Sequence, residues 1–358
     1  MDTKRQSNFE WLRVLAMAMI VTLHYMFKGE VVQNPAENMT AANLIMWFVT
    51  ALSICAVDVY VIISGYFLVE AEFKPKRLLG LLIQVLEYSV LITVGMFICG
   101  AVHISDFSVY ELASYIFPVG TENYWFITAY FVMYLLSPVL AAGIKNISEK
   151  TLRIIVLALL GFMCLEKTVL PMTLPIDRAG YDFGWFIVLF LIAAYIRLYG
   201  IHFFEGKSIR GLLTYIVASI LICATGIAGS LLKEATGIET FGHLADTVYD
   251  YNHIFVAVAA IGLFYAFKNM KPNENSKIAD VARILGPLTL GVYLLHEHIL
   301  VRYKWFEWLG LYSVKGKNNA VYQLGHWIAC VIIVMVVGFF VEWCRQTLTK
   351  MVSKNKGK

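Results

Sequence analysis

Charged residues are scarce in this chain of 358 residues, in which Asp, Glu, Lys and Arg together make up 15%. A soluble domain typically carries roughly 25% charged residues to cover its surface. Hydrophobic residues make up 59% of the chain, and no polar stretch is long enough to fold by itself. These proportions exclude an ordinary soluble protein and predict one domain, residues 1–358, embedded in a lipid bilayer.

Cysteine spacings that would indicate a disulfide framework or a metal site are also missing. The six cysteines lie inside apolar segments at wide intervals, so we interpret them as small buried residues. The net charge of +4 does not indicate nucleic-acid binding, because Lys and Arg are scattered through short loops. The first apolar stretch lacks a small-residue cleavage site, so we expect a permanent first helix rather than a signal peptide.

Ten stretches reach the length of about 20 mostly apolar residues that a membrane-spanning helix needs. They predict an all-α, polytopic integral membrane protein with about ten transmembrane helices. The predicted spans are approximately 9–28, 44–69, 78–102, 124–143, 152–171, 183–200, 210–232, 251–268, 284–302 and 323–344.

The distribution of Lys and Arg predicts the orientation of these helices. With the N-terminus inside, the cytoplasmic segments hold about 20 of the 29 Lys and Arg residues and the opposite loops hold about eight. Because cytoplasmic loops are enriched in basic residues, both termini are expected in the cytoplasm.

Ionisable side chains inside the predicted spans are candidates for function, because each costs roughly 2.5–3.5 kcal/mol to insert. They are Arg13, His24, Asp58, Glu87, His296, Glu297, His298 and Glu342. The histidines of the ninth span do not predict a metal site, because helix positions i and i+2 point about 200° apart.

Arg13 and His24 are eleven residues apart, so they share one face of the first helix at about 16 Å along its axis. His296 is expected at a depth similar to that of His24, and Asp58 near the middle of the membrane. This arrangement suits a tunnel that admits an anionic carrier at Arg13 and carries out chemistry near His24. Two structural alternatives stay open: Arg13 snorkels to lipid phosphates, or a histidine only links two helices.

Four segments of the chain resemble the membrane-bound acyltransferase-3 family of bacterial O-acyltransferases. They are NFEWLRVLAMAMIVTLH with its Arg13–His24 pair, VDVYVIISGYFL, NYWFITAYFVMYLLSPVL and LGVYLLHEH. They occur in the order that the family has and extend over nearly the whole chain. The resemblance implies an acyltransferase for groups other than amino-acyl groups.

The expected donor is acetyl-CoA or another short acyl-CoA, supplied from the cytoplasm, with no permanently bound cofactor. The expected acceptor is a hydroxyl of an extracytoplasmic surface polysaccharide, such as an exopolysaccharide, or of its lipid-linked precursor. The expected location is the bacterial cell membrane. Some relatives add a soluble hydrolase-like domain, for which this chain has no room, so it resembles the stand-alone branch.

Carried onto this sequence, the resemblance gives each candidate residue an expected role. Catalysis is assigned to His24, Arg13, Asp58 and His296. Donor binding is assigned to Arg13, Lys74, Lys76, Arg77, Ser64 and Tyr66, although the family's arginine-rich turn reads EAEFKPKRLL here. Acceptor binding is assigned to Trp125, Tyr293 and Glu297. His24 would act as general base or as a transiently acylated nucleophile, and Asp58 or Glu297 would orient a histidine.

Two other functions stay open at this point. A transporter or flippase would also use buried charges, although the sequence has no inverted repeat and no paired broken helices. A non-catalytic membrane module for polysaccharide assembly would tolerate the loss of His24.

Overall fold

The computed structural model describes residues 5–169, 175–315, 317 and 319–355. This part of the chain is about 75% helical and contains no β-strand, which confirms the predicted all-α class. The α-helices are Ser7–Leu23 (α1), Ala41–Ser53 (α2), Ala56–Leu68 (α3), Pro75–Ile98 (α4), Val109–Ile116 (α5), Trp125–Lys145 (α6), Glu149–Leu160 (α7), Glu166–Val169 (α8), Phe183–Leu198 (α9), Ser208–Thr236 (α10), Glu239–Thr247 (α11), Ile254–Lys268 (α12), Lys277–Leu285 (α13), Thr289–His296 (α14), Lys304–Trp308 (α15) and Ala320–Asn355 (α16).

Seven helical stretches of the described residues are long and apolar enough to cross a membrane. They are Ser7–Lys28, Ala41–Leu68, Pro75–Ile98, Trp125–Lys145, Ser208–Thr236, Lys277–His296 and Ala320–Met351. Helices α9 and α12 are apolar but shorter. The chain is therefore a multi-pass membrane protein, and the expected number of about ten spans is approximate.

The fifth and the ninth predicted spans differ from the observed helices in ways that bear on the site. The fifth span, 152–171, falls on α7 and α8 with a π-helical turn between them, and its last residues lie outside the described part. The ninth span was expected over 284–302, but the helical stretch begins at Lys277 and ends at His296. Just beyond this end, the Arg302 side chain folds back and donates hydrogen bonds of 3.2 and 3.1 Å to the Glu297 carbonyl.

Helix α1 lies at the centre of the bundle. It packs against α2, α3, α12, α13, α14 and α16. About two-thirds of its apolar window is buried, compared with 22% for α4 and for α16. Large side chains of these two outer helices, such as Leu91 and Phe340, are more than 60% exposed. Such surfaces suit contact with lipid, and the central helix carries its polar side chains away from lipid.

Helices α10 and α12 approach each other closely at two glycines. A Cβ atom added at Gly262 would lie 2.8 Å from the Tyr215 backbone nitrogen and 2.9 Å from the Gly211 carbonyl oxygen. Small residues allow membrane helices to pack backbone against backbone. Dispersion forces between the two backbones then stabilise the pair, because lipid supplies no hydrophobic driving force for helix association.

We therefore expect Gly262→Val to destabilise the protein by about 3 kcal/mol or more, because neither backbone atom can move aside easily. Gly95→Val is the matched control, since a Cβ atom at Gly95 in α4 meets nothing within 4 Å. Thermal midpoints of the purified variants in detergent would compare the two. Equal midpoints would contradict the close packing of α10 and α12.

Candidate active site

A continuous cavity of about 1100 Å³ runs beside the central helix α1. Its lining includes basic residues near the start of α1 and of α4, and a polar and aromatic group near the end of α1. The lining includes the polar and aromatic residues Arg5, Glu10, Arg13, His24, Lys28, Ser64, Arg77, Trp125, Tyr181, Tyr251, Tyr293, Glu297 and Arg302. We call the first part the Arg13 end and the second part the His24 end.

Helix α1 changes its hydrogen-bond pattern where the cavity reaches His24. Residues His24–Lys28 form a π-helical turn, in which the Gly29 backbone nitrogen donates to the His24 carbonyl at 3.1 Å. Single π-helical turns occur frequently at functional sites. Here the turn places both His24 and Lys28 along the same cavity.

His24 and His296 form a hydrogen-bonded pair whose direction follows from its surroundings. Nδ1 of His296 lies 2.6 Å from the Val292 carbonyl oxygen, which only accepts, so Nδ1 carries the proton. Nε2 of His296 is then an acceptor, and it lies 2.9 Å from Nδ1 of His24. A neutral His24 therefore donates through Nδ1 and keeps a lone pair on Nε2. Among the described residues this nitrogen has no hydrogen-bond partner.

The Glu297 carboxylate neutralises the charges beside His24. Its Oε2 lies 3.3 Å from Nδ1 of His24, and its Oε1 contacts the Lys28 ammonium. The Arg302 guanidinium lies 3.4 Å from Oε1 and also donates to the Asn123 carbonyl at 2.8 Å. Since Glu297 is only 2% exposed, its carboxylate needs these cations.

The Arg13 end has an excess of positive charge. Arg13 pairs with Glu10 at 2.5 Å, and Arg5 lies 3.4 Å from the same carboxylate. Arg77 lines the cavity nearby. Three cations against one carboxylate leave this end attractive to phosphate groups.

The structure brings most of the sequence-predicted residues to this one cavity. Seven of them line it: Arg13, His24, Ser64, Arg77, Trp125, Tyr293 and Glu297. His296 is not part of the lining, but it forms a hydrogen bond with His24, which does line the cavity.

Four predicted residues lie elsewhere. Asp58 is fully buried and accepts a hydrogen bond of 3.0 Å from the Trp185 indole rather than contacting a histidine. Tyr66 packs against Phe9 and beneath the Arg197 guanidinium. Lys74 and Lys76 are exposed and are not part of the lining.

Sequence reasoning missed several residues of the cavity. Lys28 follows His24 by about one helical turn, and this spacing indicates that the two side chains lie on the same face of the helix. Tyr181 and Tyr251 lie in loops about 70 residues apart in sequence, and no local pattern indicates that their rings meet. Arg302 is the last residue of the predicted ninth span, and no local pattern indicates that it meets Glu297.

The family model described as an acyltransferase domain matches residues 6–343. The match extends over essentially the whole chain, so the protein belongs to the acyltransferase-3 family and is an acyltransferase enzyme. No curated protein and no solved structure matches the chain at a significant level.

We expect Glu297→Gln to lower stability, because it leaves Lys28 and Arg302 beside an uncharged group. Breaking a fully buried ion pair costs about 3–5 kcal/mol. The cost here should be smaller, because the two cations are 25% and 21% exposed. Thermal midpoints in detergent would measure the loss.

Glu70→Gln is the control for this variant, since its pair with Arg197 is exposed and should contribute less than about 1 kcal/mol. Adding Lys28→Met to Glu297→Gln should recover part of the lost stability. A loss no larger than that of the control would show that Glu297 is not needed to balance these charges.

Proposed function

We propose that this enzyme is an O-acyltransferase that moves a short acyl group, with acetyl as the first choice, from acyl-CoA to a hydroxyl of an extracytoplasmic surface polysaccharide or its lipid-linked precursor. The observation that carries the proposal is the continuous cavity, which joins a cation-rich end to a histidine with a free ring nitrogen. The positive-inside distribution of Lys and Arg supports placing the Arg13 end at the cytoplasm of a bacterial cell membrane.

The charge of the Arg13 end supports acyl-CoA as the donor. Acyl-CoA is made in the cytoplasm and carries several phosphates at one end and the thioester at the other. Arg13 and Arg77 would hold the phosphates through charge-assisted hydrogen bonds. Along α1, Arg13 and His24 are separated by about 16 Å, and the cavity between them would receive the slender pantetheine arm.

In the proposed reaction His24 acts as a general base. Nε2 takes the proton of the acceptor hydroxyl while its oxygen attacks the thioester carbonyl carbon. The tetrahedral intermediate then collapses, the C–S bond breaks, and the CoA thiolate takes the proton back from Nε2. The products are the O-acyl ester and free CoA.

Two neighbouring groups would stabilise the charges that develop in this reaction. The Lys28 ammonium and the Tyr293 hydroxyl both line the cavity, and the hydroxyl is buried with no hydrogen-bond partner among the described residues. Either would stabilise the oxyanion. The Glu297 carboxylate, 3.3 Å from Nδ1 of His24, would stabilise the imidazolium.

We expect His24→Ala to reduce acyl transfer by at least about 10²-fold, because general base catalysis contributes about 10²–10⁴-fold. The protein would be reconstituted in sealed liposomes with radiolabelled acetyl-CoA on one side and extracted bacterial surface polysaccharide on the other. Release of CoA and label in the polysaccharide would both be followed. His202→Ala is the control, since His202 is exposed and outside the cavity.

Near-normal transfer by His24→Ala would refute the assignment of the base. A stable acyl group on His24 after incubation with donor alone would indicate acylation of the histidine instead. Movement of label across the membrane without thioester cleavage would favour a transporter.

We expect Arg13→Gln to raise the KM for acetyl-CoA by about 10- to 100-fold, since a hydrogen bond to a charged group contributes about 1.5–3 kcal/mol. The KM for S-acetyl-N-acetylcysteamine, a thioester without phosphates, should stay within about twofold. Lys145→Gln is the control, since this exposed lysine lies outside the cavity. An equal effect on both donors would show that Arg13 does not contact the phosphates.

A further inference from the structure

Three aromatic rings meet at the His24 end of the cavity. Trp125 begins α6, and Tyr181 and Tyr251 lie in the loops before α9 and α12. Ring centroids are 4.6 Å apart for Trp125 and Tyr181, 4.7 Å for Tyr181 and Tyr251, and 5.8 Å for Trp125 and Tyr251. All three line the cavity, and Tyr181 is 44% exposed. We call them the aromatic trio.

The trio is connected to the histidine pair through further rings. Phe126 lies 6.1 Å from Trp125 and 5.9 Å from Tyr293, and Tyr293 lies 6.2 Å from His296. A molecule on the trio would therefore lie in the same cavity as His24, with Phe126 and Tyr293 between the trio and the histidine pair.

A buried lysine fixes the two loops that carry the tyrosines. Nζ of Lys167 lies 2.6 Å from Asp177, 2.6 Å from Asp250 and 2.8 Å from the Asn252 side-chain oxygen. Asn252 also donates to Asp177 at 2.9 Å. Lys167 is only 2% exposed, so one ammonium ties residues before Tyr181 to residues on both sides of Tyr251.

The backbone of these loops is equally constrained. The Tyr251 nitrogen donates to the Ala179 carbonyl at 3.1 Å. Gly180 has φ +80°, and an added Cβ atom would lie 2.8 Å from Cβ of Tyr251. A side chain at position 180 would therefore push the two loops apart.

The charges explain why the lysine is needed. Burial raises the pKa of the Asp250 carboxyl, and the hydrogen bond and charge of Lys167 act against this rise. Without the lysine, Asp177 and Asp250 would face each other as two poorly solvated carboxyl groups. The loops would then lose the contact that holds Tyr181 over Trp125.

The shape and chemistry of the trio fit one face of a sugar ring. The C–H groups on a pyranose face are apolar and slightly positive, and they complement the negative faces of aromatic rings. Polar groups of the same cavity end, Glu297 and Arg302, would meet the hydroxyls at the ring edge.

We propose that the aromatic trio is the acceptor subsite for a pyranose ring and that Lys167 is the positioning residue that holds it in place. This inference rests on the proposed function, because it locates the binding site of the acceptor in that reaction.

The test measures two quantities on the full-length protein. The first is equilibrium binding of extracted bacterial surface polysaccharide to the protein in detergent, and the second is CoA release with that polysaccharide as acceptor. Tyr181→Ala should weaken binding by about tenfold, because it removes one stacking ring. Tyr181→Phe keeps the ring and should retain most of the affinity.

Tyr312→Ala is the control for membrane anchoring, since this tyrosine is 63% exposed and lies outside the cavity. Its affinity should equal that of the wild type. Lys167→Met should raise the KM for the polysaccharide by about tenfold, with a smaller change in kcat at saturation. Should this variant fail to fold, Tyr181→Ala still tests the subsite, and Gly180→Ala, which would also push the two loops apart, should raise the same KM.

The outcomes separate this inference from the proposed function. Polysaccharide binding that depends on Tyr181, without any thioester cleavage, would support the subsite and refute the transfer reaction. Thioester cleavage with binding that is unchanged in Tyr181→Ala would refute the subsite alone. The absence of polysaccharide binding by the wild type would also overturn the subsite.

Discussion

The Glu297 carboxylate joins two separate segments of the chain at one end of the cavity. It contacts His24 and Lys28 from the π-helical turn that follows α1, and Arg302 from the turns that follow α14. A carboxylate with so little solvent around it needs cations, and these cations need it in turn. The position of His24 therefore depends on an ion cluster rather than on apolar packing alone. The early end of α14 is part of the same arrangement, since Arg302 reaches Glu297 only because the helix stops.

The central position of α1 explains how two ends of different character belong to one cavity. Its start carries Arg13 and its end carries His24, and both side chains point to the same side because they are close to three turns apart. Other helices surround α1, so its polar face meets the cavity instead of lipid. The Arg13 end and the His24 end lie along one helix and keep a fixed separation, which would suit the proposed donor, since acyl-CoA carries its phosphates far from its thioester.

The sequence allowed some of these features to be predicted, and the physical reasons differ between them. Helical periodicity was enough to place Arg13 and His24 on one face, and apolar length was enough to identify a multi-pass protein. Contacts between distant segments have no such periodic signal. The Trp185 partner of Asp58 and the Lys167 cluster arise from helices and loops that meet only in the folded chain. The end of the ninth span has no periodic signal either, because the apolar residues 299–301 continue the pattern of the span, and the contact of Arg302 with the Glu297 carbonyl forms only in the folded chain.

The histidine pair also separates two tasks that one carboxylate often combines. In many hydrolases a carboxylate both fixes the tautomer of the catalytic histidine and stabilises its positive form. Here the neutral His296 ring fixes the direction of the hydrogen bond, because its own Nδ1 donates to the Val292 carbonyl. The charge comes from Glu297, which approaches the same nitrogen of His24 from a longer distance. In the proposed reaction, the orientation of the His24 ring therefore stays constant. The negative charge of Glu297, which Lys28 and Arg302 also balance, stabilises the positive form of His24 while the ring holds the proton.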